Sequence, residues 1–99
     1  MAEDNWKNTN VYAGEVKEGD TIKIIFNSLK QLDIKNILPG CTMCTTINGY
    51  KDNELSVTFK ADKIPYHILA KTQSVVKTIV IVYADGKSEV LRFSVLIVR

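Results

Sequence analysis

Histidine occurs once in this chain, cysteine twice, proline twice and glycine five times, and each scarcity removes a class of function. A structural zinc site draws on about four ligands, as a rule two Cys pairs or a Cys pair with added His. Cys41, Cys44 and His67 are too few for a complete site within one copy. The five glycines form neither a Walker loop nor a dinucleotide-binding Gly-x-Gly-x-x-Gly pattern. Charge of one sign is missing too. Thirteen basic and eleven acidic residues give a net charge of +2 and are scattered without a run. A nucleic-acid binder concentrates its basic residues on one face, so no nucleic-acid partner is expected. No apolar run approaches the roughly 20 residues of a membrane span, so no membrane partner is expected either. The opening Met1-Ala2-Glu3-Asp4-Asn5-Trp6 is polar and acidic, where a secretory leader needs a basic stretch and then an apolar one. No Asn-x-Ser/Thr sequon is present. These absences lead us to expect either a chain that stays where it is made or a leader that lies outside this sequence.

What the sequence has is strand patterning. Its 99 residues are enough for one domain, and 45% of them are hydrophobic, an ordinary share for a globular core. Ile22, Ile24 and Phe26 alternate with polar neighbours, as do Leu55, Val57 and Phe59, and period two is the signature of a half-buried strand. Leu32 and Ile34 alternate with Asp33 and Lys35, but Ile37 falls out of step, which predicts a bulge near Asn36. Cys41 to Ile47 is Thr-rich and reads as a strand ending at Asn48-Gly49. Ile79-Val80-Ile81-Val82-Tyr83 is a nearly continuous apolar run. Asp85-Gly86 then predicts a hairpin into a return strand from Ser88 to Arg99. Residues 66–76 fit either a helical turn or an extended loop. About seven short strands and no convincing helix predict an all-β, immunoglobulin-like antiparallel sandwich over residues 11–99, preceded by a polar arm at 1–10.

Few residues offer chemistry. Cys41-Thr42-Met43-Cys44 is a C-x-x-C, but residues i and i+3 of a strand point to opposite faces, so a disulfide would require a tight turn. Two free thiols packed as small hydrophobes are the expectation. A Cys–His pair with His67 lacks an orienting partner or an oxyanion-hole motif. Asp52-Asn53-Glu54 supplies too few oxygens for a calcium loop. No catalytic, cofactor-binding or metal residue is assigned, and the chain is expected not to be an enzyme.

Contact residues are better supported. Trp6 lies in the polar arm, and tryptophan is enriched at interface hot spots. Its other expected fate is a lid folded back onto its own sandwich. In the last strand, Leu91, Phe93, Val95 and Ile97 form one face, while Leu96 and Val98 make the opposite face apolar as well. They are expected either to meet another protein or to lie under the arm. Tyr12 is a further contact candidate.

The order of these elements resembles the Hydin-type immunoglobulin-like domains and the related bacterial domains with a Cys-Gly-Cys-Thr signature. Tyr12-Ala13-Gly14 through Gly19-Asp20, Phe26-Asn27, Leu32-Asp33-Ile34, Gly40-Cys41-Thr42 and Leu55-Ser56-Val57-Thr58-Phe59 carry the likeness. Pro39 stands where the first signature cysteine would be, and Cys44 is additional. The resemblance implies an immunoglobulin-like sandwich used for binding, with no enzyme activity. In format, a single such domain with a short polar arm is similar to the small auxiliary capsid proteins of tailed phages, including crAss-like ones. That likeness implies a virion location, with the major capsid protein and neighbouring copies as partners. The alternative is a bacterial adaptor or envelope domain, in the cytoplasm or envelope, that binds a protein by edge-strand addition.

Overall fold

The computed structural model describes residues 5–65, 69 and 71–99. His67, with residues 66, 68 and 70, lies outside the described residues; of the segment 66–76, read as a helical turn or a loop, residues 72–76 belong to a strand. Seven strands follow one another: β1 (Asn10–Lys17), β2 (Thr21–Asn27), β3 (Ile34–Pro39), β4 (Thr45–Lys51), β5 (Glu54–Lys60), β6 (Thr72–Tyr83) and β7 (Ser88–Val98). Among the described residues there is no helix. The strands form a four-stranded sheet in the order β1-β7-β6-β3 and a three-stranded sheet in the order β2-β5-β4. This division of strands between two layers is the immunoglobulin-like sandwich expected from the sequence.

Four pairings are antiparallel, and the fifth, β1 with β7, is parallel. Parallel neighbours need a long connection, and here the connection is the remainder of the domain. The turn at Gly19, with φ 86°, sends the chain from β1 in one sheet to β2 in the other. The Asp20 amide closes that turn on the Lys17 carbonyl at 3.0 Å.

The core lies where the inner faces meet. Ile24, Phe26, Leu55, Val57 and Phe59 come from the three-stranded sheet, and Ile79, Ile81, Leu91, Phe93, Val95 and Ile97 from the other. Phe59 and Phe93 meet edge to face across the layers with ring centroids 5.7 Å apart, a geometry that aromatic quadrupoles favour.

Three bulges set which residues reach this core. One extra residue reverses the inside–outside parity of everything after it. In β1 the register shifts between Tyr12 and Gly14. Gly14 has φ 105°, and the shift turns Val16 inward beside Ile97. In β3 the shift falls between Ile34 and Asn36, where the sequence placed it, and brings Ile37 back to the core. In β4 it falls between Ile47 and Gly49 and turns Tyr50 inward.

This last bulge corrects the sequence reading, since Asn48-Gly49 is not the end of a strand. The strand continues to Lys51, and the chain reverses at Asp52 and Asn53, both with positive φ (54° and 64°). Positive φ at both central residues is the requirement of a type I′ hairpin turn, which Asp and Asn tolerate.

The start of the same strand is corrected as well. Residues 41–44 form a turn, closed by the Thr45 amide on the Cys41 carbonyl at 3.0 Å. The turn brings the Cys41 and Cys44 sulfurs together as a disulfide, with Cα atoms 5.8 Å apart. The expected free thiols are therefore replaced by the one geometry in which an i, i+3 pair can bridge. Met43 stands exposed at the tip of this turn, and Cys44 is buried.

Candidate functional site

The segment read as an arm is built into the sandwich from Asn5 onward. The Lys7 amide bonds the Asn27 carbonyl at 2.9 Å, and the Leu29 amide bonds the Asn5 carbonyl at 2.8 Å. A β-bridge joins Trp6 to Ser28. Trp6 is only 2% exposed. Its ring meets Tyr50 edge to face at 5.9 Å, and its Nε1–H donates to the Tyr83 hydroxyl at 2.9 Å. Trp6 therefore plugs one end of its own core and offers no surface to a partner.

Two polar networks hold this plug. Tyr83 Oη donates to Glu89 Oε1 at 2.6 Å, and Asn5 Nδ2 donates to the same oxygen at 3.1 Å. Burial, with the bond to Glu89, pushes the Tyr83 hydroxyl up to about 12, because both disfavour a second negative charge. On the other side the Tyr50 hydroxyl lies 2.7 Å from Ser28 Oγ and accepts the Leu32 amide at 3.0 Å. A half-open depression of about 700 Å³ lies beside Tyr83 and Glu89. These two side chains and Asn5 are engaged with one another at its wall. Among the described residues, no group of three or more His, Cys, Asp or Glu is placed to hold a metal. No helix there is long and apolar enough to cross a membrane.

The three remaining contact candidates fall on one surface, the outer face of the four-stranded sheet. Leu96 and Val98 point outward and are half-buried, while Tyr12 is 64% exposed. Strand register extends the patch. Ser94 pairs with Tyr12 on one side and Val76 on the other; Leu96 pairs with Glu15 and Ser74; Val98 pairs with Lys17 and Thr72. Val80 pairs with Val90 and with Leu38. Val76 is 61% and Leu38 50% exposed.

The sequence reading missed Val76, Val80, Val90 and Leu38. A signal for one of them, Val80, was present. A strand that is apolar at consecutive positions, as in Ile79–Tyr83, has two faces to cover, and only one faces the core.

The two outer faces of the sandwich differ in kind. The twelve outward residues of β6 and β7 comprise six apolar side chains, five Ser or Thr and one charge, Arg92. Outward positions of the three-stranded sheet carry Lys23, Lys51, Glu54 and Lys60 with Thr21, Asn27, Thr46, Asn48, Ser56 and Thr58, and one aliphatic, Ile25. There Asn48 Nδ2 donates to Ser56 Oγ and Thr58 Oγ1 at 3.1 and 2.8 Å. The second pattern is that of a solvated sheet face. The first, with six aliphatics and Arg92 as its one charge, is poor in charge as an interface core is; the edge strand β1 adds Tyr12 to this face together with Glu15 and Lys17.

No family model matches the chain, and no curated protein matches its sequence.

Proposed function

We propose that this domain is a non-enzymatic contact module that binds protein through the outer face of its four-stranded sheet. Its setting in this reading is a virion, where it binds the major capsid shell in many copies as an auxiliary protein. The observation that carries the contact function is the difference between the two outer faces. One is charged and solvated; the other exposes Tyr12, Val76, Leu38 and Val90 with Arg92 as the one charge on its two long strands. Exposed apolar patches of this kind mark interaction sites. Many modest contacts on a symmetric lattice reinforce one another, which suits a small face on a small domain. The binding role is supported by the ordered elements that resemble the Hydin-type domains, and the virion setting by the likeness of a small immunoglobulin-like domain to the auxiliary capsid proteins of tailed phages.

Edge-strand addition to a peptide, the mode of the adaptor reading, has less support. Of the four edge strands, β1, β3 and β4 are interrupted by bulges, and β3 ends in Pro39. Bulges and proline are how sheet edges avoid new strands. Only β2 is regular, and β1 lies against it.

The test is composition of purified particles. The protein should be present in a fixed ratio to the shell protein. Its absence from particles would end the virion assignment.

A further inference from the structure

The outer face of the four-stranded sheet has a pattern that complements itself. From this we infer that its occupant is a second copy of the same chain, docked face to face about a two-fold axis. The inference rests on the contact reading above and names the partner that covers that same surface in the free protein; binding to the shell then displaces the second copy.

The argument is one of register. Along β7 the outward residues run Val90, Arg92, Ser94, Leu96 and Val98. A two-fold axis lying in the plane between two copies, perpendicular to the strands and passing at Ser94, stacks each strand on its own counterpart in reverse. Ser94 then meets Ser94, Arg92 meets Leu96 and Val90 meets Val98. The neighbouring strands follow. Val76 and Tyr12, in register with Ser94, meet their own copies at the axis and supply the apolar centre. Glu15 flanks Leu96 on β1, so it falls beside the incoming Arg92, one strand spacing of about 4.8 Å away. Both side chains are exposed. The one charge on β6 and β7 thus finds an opposite charge, and symmetry makes the pair twice. No other two-fold centre along β7 places Arg92 beside a carboxylate of β1.

The area is sufficient. Rows 90 to 98, three strands wide, project about 30 Å by 15 Å, with sheets packing about 10 Å apart. Two such faces, with the relief of their side chains, reach the roughly 1,000 Å² that a specific interface requires. An isologous contact of this kind closes on itself, so it gives a dimer rather than a filament.

The test is sedimentation velocity of the intact chain up to about 1 mM, a range that captures weak association. The wild type should dimerise. Arg92→Glu and Glu15→Arg should each weaken the dimer about tenfold or more, and the double exchange should restore it, since a charge pair is recognised by its coupling. A chain monomeric throughout, or a dimer indifferent to all three variants, overturns the inference. If the monomeric chain still binds shells and loses that binding on Val76→Lys, the dimer fails while the contact function stands.

Discussion

Replacing Trp6 by alanine should cost more than any other change in the first ten residues, although the sequence there looks like a polar tail. Its side chain, 2% exposed, removes about 200 Å² from water. At about 25 cal/mol per Å² this is worth about 5 kcal/mol. A compact unfolded chain trims the figure by about 10–40%, to between roughly 3 and 4.5 kcal/mol, in line with the ~3–5 kcal/mol typical of Trp→Ala in cores. A domain of this size is stable by about 5–15 kcal/mol, so the loss is a large share of the whole. The assay is urea unfolding followed by circular dichroism, with thermal melting beside it. At about 4–8 °C per kcal/mol, the melting temperature should fall by about 12 °C or more. Trp6→Phe separates packing from polarity. It keeps a ring against Tyr50 and removes the donor to Tyr83, and should cost about 1–2 kcal/mol. A Trp6→Ala variant within about 1 kcal/mol of wild type would refute the reasoning and return residues 5–9 to the status of a loose arm.

Three further outcomes follow from particular contacts. Stability should fall as pH rises through 10 toward about 12, because the Tyr83 hydroxyl is held up to about 12 in the fold. The unfolded chain then gives up a proton that the native one retains. Tyr83→Phe should flatten that stretch of the profile. Gly40→Ala should destabilise by about 1–3 kcal/mol, since a Cβ there would lie 2.7 Å from Thr78 Oγ1 and 3.1 Å from its carbonyl oxygen; the urea midpoint reports it. Asn53→Gly should stabilise by about 0.5–1 kcal/mol. It removes the buried, unpaired Oδ1 and suits the φ of 64°, and a higher urea midpoint is the readout.

Where alternation was strict, the sequence was enough. Leu55, Val57 and Phe59, and Leu91 through Ile97 on one face of the last strand, are all in the core. The bulge near Asn36 was legible because Ile37 broke the period. The Asn48-Gly49 bulge was not. The dipeptide carries the same local signal as a hairpin turn, and only the pairing of Tyr50 with Leu55 distinguishes the two. Cys41 and Cys44 were misread for a related reason. Thr-rich composition favours a strand, and the turn that lets the sulfurs meet depends on how β4 docks on β5, where the Lys60 amide bonds the Cys44 carbonyl at 2.7 Å. Trp6 could not be placed because its partners, Tyr50 and Tyr83, are 44 and 77 residues away. The contact face was half legible: Leu96 and Val98 broke the alternation openly. Val76 sat in a segment that gave no clear period, and Leu38 stood beside Pro39-Gly40.

The measurement that bears most directly on the contact function compares the two faces of the sandwich. Purified shells are mixed with wild type, with Val76→Lys on the outer face of the four-stranded sheet, and with Thr46→Lys on the outer face of the three-stranded sheet. Both positions are exposed, so both variants should fold. Co-sedimentation should be kept by Thr46→Lys and lost by Val76→Lys. Equal binding by all three, or loss only with Thr46→Lys, would contradict the assignment of the contact to the four-stranded sheet.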